Sequence, residues 1–143
     1  MIRYVVDASV AIKWFIPETH SEAAVRIRES TDRLHAPAFV ILELGNVVAK
    51  KIRRGELSKE EGDAILKDLR DVPLQRHPDE RLFRSAYALA LDTRRSLYDC
   101  LYLALAGVID GKVITADRKF YTALSNGPYR KRILWVEDLL KST

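Results

Sequence analysis

At 143 residues, 48% of them hydrophobic and 31% charged, the chain is long enough to bury one sizeable core and too apolar for wholesale disorder. Its one cysteine, Cys100, excludes an internal disulfide and suits a reducing compartment, where it reads as a small buried hydrophobe. The net charge of +4 is uneven, −1 over residues 1–49 and +5 over residues 50–143, and a basic surface of this kind attracts polyanions, nucleic acid first, unless its clusters are only solvated helix faces.

In chain order, "RYVVDAS" is a β-branched strand that ends at Asp7. Asp7 also interrupts the apolar start too early for a signal peptide, and the longest apolar run covers about half of a membrane span, which takes ~20 residues. A soluble, cytoplasmic protein is expected. "SVAIKWFI" turns helical and stops near Pro17, and "SEAAVRIRES" is a second helix with Ser21 as its cap. "RLHAP" is a short strand, followed by a long helix over 38–54 that Gly55 closes. Ser58 and Glu61 form a capping-box pattern ahead of a helix over 59–72. "PLQRH" can form a strand, and a helix entered through Pro78 and Asp79 runs to Arg95. Ser96 caps an almost wholly apolar helix that ends around Gly111. "KVITAD" is a strand, residues 117–126 a helix, and "RILWVEDLL" a strand running toward the C-terminus. The alternation predicts an α/β fold with a mainly parallel sheet of four to five strands between helices, without repeats or an internal boundary.

The acid in "SLYDCLYLALAG" poses the functional question, because a buried carboxylate must find a partner or take up a proton. Asp99 can serve as the acidic half of a capping box with Ser96. Asp7 and Asp117, each at the end of a strand, can simply cap the helices that follow. Glu43 can lie on an exposed helix edge beside Lys50 or Lys51. Taken together, the four acids fall where strand ends and helix starts converge on one edge of a parallel sheet. Four carboxylates in one partly buried pocket need compensation, and a hard divalent cation, Mg²⁺ or Mn²⁺, supplies it. Such a site suits phosphodiester cleavage. Without these four acids the remaining charges sum to +8, a basic rim around a metal pocket. Arg53, Arg54, Arg94, Arg95, Arg118 and Lys119 are its candidate RNA contacts. Ser9 and Thr115, each two residues from an acid, are candidates to hold a metal-bound water or to act as ordinary turn hydroxyls.

Other chemistries lack their residues. His20, His35 and His77 are scattered along the chain with a lone Cys, against a zinc site. No P-loop, dinucleotide fingerprint or serine-hydrolase elbow is present. Trp14, Tyr98, Tyr102 and Trp135 fit core or dimer packing better than base stacking.

"VVDASVAIKWF", "LELGNVV", "SLYDCLYLALA" and "VITADRKF" resemble, in order and spacing, the motifs of PIN-domain ribonucleases, specifically the VapC-type toxins of toxin–antitoxin pairs. The resemblance covers nearly the whole chain. It implies a PIN-like three-layer α-β-α sandwich over 1–143 and a Mg²⁺- or Mn²⁺-dependent endoribonuclease with Asp7, Glu43, Asp99 and Asp117 as catalytic and metal-holding acids. It further implies polar helpers at Ser9, Thr115 and Asn46, a homodimer, and a cognate antitoxin that covers the active site. Cys100 stands where the family more often has a small alanine-like residue. Lys119 stands where some members carry a further acid, which bears on a second metal site. The competing reading is a non-catalytic RNA-binding or regulatory module that retains the acidic pocket.

Overall fold

The computed structural model describes residues 2–30 and 33–141. Five strands, β1 (Arg3–Val6), β2 (Arg33–Pro37), β3 (Gln75–His77), β4 (Lys112–Thr115) and β5 (Ile133–Trp135), form a sheet in the order β3-β2-β1-β4-β5. All four neighbouring pairs are parallel, so the sheet is parallel throughout rather than mainly so. The connections carry α1 (Ala8–Ala11), α2 (Ser21–Arg28), α3 (Val40–Arg53), α4 (Lys59–Leu69), α5 (Asp79–Thr93), α6 (Leu97–Ile109) and α7 (Arg118–Ser125), and α8 (Asp138–Lys141) follows β5. Right-handed crossovers place α1–α4 on one face and α5–α7 on the other, which gives the expected three layers.

The central strands read as buried on both faces because they are: Tyr4, Val5, Val6, Val113 and Ile114 are all nearly inaccessible. α6 packs against β1, β2 and β4, and its run from Cys100 to Ala106 is buried throughout. That placement explains an apolar helix in a protein where no described helix is long and apolar enough to cross a membrane. Cys100 is fully buried, as read from its neighbours.

Local signals decide most boundaries. Ser58 and Glu61 close a complete capping box on α4. Gly55, at φ 75°, takes the left-handed position that ends α3. Asp110, not Gly111, is the left-handed residue after α6. Gly111 is required for a different reason: a Cβ there would lie 2.4 Å from the Arg3 carbonyl oxygen of β1.

Several expectations are corrected. Ser21 does not cap α2; His20, at φ 68°, occupies that position, and the Ser21 hydroxyl accepts instead from the Glu18 N–H at 2.6 Å. The helix expected over 59–72 stops at Leu69, and the one expected to reach Arg95 stops at Thr93. "SVAIKWFI" is one α-turn followed by a 3-10 turn over Ile12–Trp14. The last strand ends at Trp135: the Val136 N–H still donates to the Thr115 carbonyl at 2.9 Å as the final bond of the β4–β5 ladder, and the chain then enters α8 at Asp138. The histidines are not all scattered: neighbouring β2 and β3 bring His35 Nδ1 to 2.9 Å from His77 Nε2. Arg3, Arg33 and Arg81 are the charged neighbours that act on this pair, and burial with those charges holds both rings below the usual histidine range.

Candidate active site

The strand order reverses at β1, where the chain leaves toward β2 and later returns to β4 on the other side. In open α/β sheets such a reversal opens a crevice at the carboxyl ends of the two strands. Asp7 follows β1 and Asp117 lies two residues beyond β4, so both acids stand at this crevice.

Asp7 is the N-cap of α1, and its carboxylate accepts the Ser9 N–H at 3.0 Å and the Ser9 hydroxyl. The same hydroxyl accepts the Ala116 N–H at 2.9 Å, and Thr115 Oγ1 accepts the Asp117 N–H at 3.0 Å. The two hydroxyls lie 3.4 Å apart and stitch the ends of β1 and β4 together. Ser9 and Thr115 therefore position the acids and their backbone. Asp7 is only 6% exposed. Burial raises its pKa to about 6, against the Ser9 and Thr115 hydrogen bonds, and the Asp117 charge adds to the rise.

Asp117 caps α7 and accepts from the Lys119 and Phe120 N–H groups at 3.0 and 3.3 Å. Asp7 and Asp117 are thus both caps and members of the crevice; capping aims the carboxylates without removing them from it. Glu43 sits in the first turn of α3, half-buried. Its pKa is raised to about 7, by burial first and then by the charges of Asp7, Asp99 and Asp117. Lys51 does not compensate it, being paired instead with Glu18 at 3.2 Å and Glu56 at 3.4 Å.

Asp99 is half of a capping box. The Ser96 hydroxyl accepts the Asp99 N–H at 3.1 Å, but the Asp99 carboxylate turns to Arg95, whose Nη2 lies 2.8 Å from Oδ2. Burial still leaves its pKa raised, with Arg95 opposing and Asp117 adding. Asp117 acts on the other three acids and all three others act on Glu43, so the fold brings the expected four into one electrostatic unit. Among the described residues, no three His, Cys, Asp or Glu side chains converge on one point as a ready metal cage. The contacts show why: Ser9 holds Asp7, α7 backbone holds Asp117, and Arg95 holds Asp99. The donor set itself, four carboxylates with neighbouring hydroxyls, is the hard-oxygen chemistry that Mg²⁺ and Mn²⁺ take.

Two members were not read from the sequence in these roles. Tyr102 is buried and its hydroxyl is near enough to the Glu43 carboxylate to temper its pKa, yet makes no hydrogen bond of ordinary geometry. Its spacing of three residues from Asp99 on α6 was the available signal. Arg95 shows the same kind of signal, four residues before Asp99. Asn46 lies one turn beyond Glu43 with its side chain exposed. Tyr98 is 56% exposed and stacks on Phe39 at 4.9 Å, whereas Trp14, Tyr102 and Trp135 are core.

The basic candidates divide by position. Arg118 and Lys119 follow Asp117 directly, and the Arg118 guanidinium lies 3.8 Å over the Trp135 ring. Arg94 and Arg95 form the turn into α6. Arg53 and Arg54 close the far end of α3, about 15 Å along the helix from Glu43.

The PIN domain family model matches residues 4–123. Ribonuclease VapC3 of Pyrobaculum aerophilum is 35% identical over 120 residues, 82% of this chain and 92% of that one. The crystal structure of PAE2754 from Pyrobaculum aerophilum superposes with a TM-score of 0.70 at 23% identity, covering 99% of this chain and 96% of that one. VapBC2 from Rickettsia felis, solved with a DNA fragment from the promoter, gives a TM-score of 0.61 at 11% identity over 94% of this chain and 97% of that one. With four acids at the sheet reversal and a family match over most of its length, this chain belongs to the PIN domain family, among the VapC ribonucleases.

Proposed function

We propose that this chain is a divalent-metal-dependent endoribonuclease, the toxin of a toxin–antitoxin pair, in which Asp7, Glu43, Asp99 and Asp117 hold Mg²⁺ or Mn²⁺. The observation that carries this reading is the buried Asp7 and half-buried Glu43 carboxylates, pushed up to about 6 and about 7 by burial and by neighbouring acids. A pocket that retains protons so far above the usual carboxylate range is short of positive charge. When bound, the ion supplies Lewis acidity toward water and the scissile phosphate. The chain's own part is to present the carboxylates from four helix starts, with Ser9 and Thr115 fixing Asp7 and the Asp117 backbone. Purified protein is expected to cleave a structured RNA with added Mg²⁺ or Mn²⁺ and to stop when EDTA is added. Cleavage at full rate in EDTA would overturn the metal-dependent reading.

The basic rim supports RNA as the substrate, and distance from the acids supports a ranking of its candidate cations. Arg118 and Lys119 border Asp117, while Arg53 and Arg54 lie a helix length away. Arg118→Ala is expected to weaken RNA binding several-fold and to lower the salt slope by about one, with a smaller change for Arg53→Ala. Equal losses from both, measured by salt titration of RNA affinity, would remove this ranking.

An antitoxin that covers the crevice is part of the same proposal, supported by the VapBC pair among the structural neighbours. So is a homodimer. Phe83, Tyr87 and Leu91 repeat every four residues along α5 and are 56%, 53% and 69% exposed, an apolar stripe suited to a second copy.

A further inference from the structure

Arg95 makes the one ion pair that any of the four acids forms among the described residues. Its Nη2 lies 2.8 Å from Asp99 Oδ2, and both side chains are about three-quarters buried. The guanidinium is also 5.8 Å from the Phe120 ring centroid. Its backbone is fixed: Arg94 takes φ 60° and the Arg95 N–H donates to Thr93 Oγ1 at 3.2 Å. Any movement therefore belongs to the side chain. The seat is poorly satisfied, because Arg95 Nε is buried without a hydrogen-bond partner. A guanidinium has five donors, and a buried donor left unpaired is costly.

Resting on the metal-dependent reading above, we propose that Arg95 is a built-in counterion that occupies Asp99 in the metal-free protein and must swing off before Asp99 joins the other acids around the ion. The swing exchanges an ion pair for a coordination bond and frees a planar, bidentate cation beside the place where the scissile phosphate binds. Arginine suits phosphate as well as it suits carboxylate. Arg95 is thus a positioning residue with two seats: Asp99 when the site is empty and substrate phosphate when it is loaded. The arrangement also accounts for the acids sharing a pocket without converging on one point.

The two seats predict opposite signs for one substitution. In Arg95→Ala, loss of both a competitor and a repelling charge is expected to tighten Mn²⁺ binding about tenfold in calorimetry. The same substitution is expected to weaken binding of a cleavage-resistant single-stranded oligoribonucleotide analogue at saturating Mn²⁺ about fivefold. Arg95→Lys keeps the charge but loses the bidentate fork, so its Mn²⁺ affinity is expected to stay near wild type; it serves as the folded reference if the alanine variant melts early. A residue that only braced the loop would weaken both ligands together. Unchanged or weaker Mn²⁺ binding in Arg95→Ala, with wild type still binding Mn²⁺, overturns the counterion role and leaves the nuclease reading standing. If neither protein binds Mn²⁺, both readings fail.

Discussion

Asp7→Asn is expected to lower RNA cleavage at least a hundredfold and, at pH 8 without metal, to make the protein more stable. The substitution keeps the shape and the cap, since an amide oxygen accepts the same Ser9 N–H and hydroxyl. What it removes is a charge that burial opposes. Asp7 has its pKa raised from 3.8 to about 6, so the folded state binds the proton more tightly than the unfolded one. The stability this contributes is complete below about pH 3.8 and is lost as pH rises through about 6. By pH 8 the buried charge costs on the order of 2–3 kcal/mol, which the neutral amide avoids. Thermal melts are expected to show a gain of roughly 5–10 °C at pH 8 that falls to about half by pH 5 and vanishes only below about pH 3.8. The Glu43 pKa falls at the same time, because Asp7 is the first of the charges that raise it. A variant that melts below wild type at pH 8, or that still cleaves RNA, would remove Asp7 from the site.

The stability gain and the activity loss share a cause that was partly visible in the residues alone. Strand ends at Asp7 and Asp117 and the Ser96 cap before Asp99 are local signals, each set by a few neighbouring residues, and they singled out three of the four acids, while Glu43 stood out only as a charge inside an apolar run. The parallel sheet followed from β-branched runs alternating with capped helices. What escaped was non-local or decided by competition. β3 has three residues, all at least partly exposed, and is held by its pairing with β2 rather than by its own apolar pattern. The C-terminal run "RILWVEDLL" looks like a strand throughout, but β4 is too short to pair beyond Val136, Trp135 Nε1 donates to the Glu137 carboxylate at 3.2 Å, and the chain turns into α8. His35 and His77 are 42 residues apart and meet only because two strands are neighbours. Arg95 was legible as a basic residue, but its seat against Asp99 depends on a turn whose left-handed Arg94 carries no glycine or asparagine signal. The metal-like convergence expected of the acids was a statement about residue types. The side-chain contacts that keep them apart are a matter of packing.

Metal binding is expected to be strongly proton-coupled, with Mn²⁺ affinity rising about a hundredfold between pH 5.5 and pH 7.5. Asp7 and Glu43 hold protons up to about 6 and about 7, and a cation must displace whatever protons remain. Below both values two protons leave for each ion bound, and between them close to one does. Because the Asp7 charge raises the Glu43 pKa, the two titrations are coupled, and calorimetry reads them best as a proton count. Binding measured in two buffers of different ionisation enthalpy is expected to release more than one proton at pH 6 and close to none at pH 8. Mn²⁺ should also raise the melting temperature more at pH 7.5 than at pH 5.5, since ligand stabilisation follows the apparent affinity. In Glu43→Gln the higher titration disappears, leaving weaker binding that levels off nearer pH 6. An affinity that stays flat from pH 5.5 to 7.5 would mean that the ion does not meet these carboxylates. The buried acids would then be a strained relic of the crevice, and the site for any metal would have to be sought elsewhere on the chain.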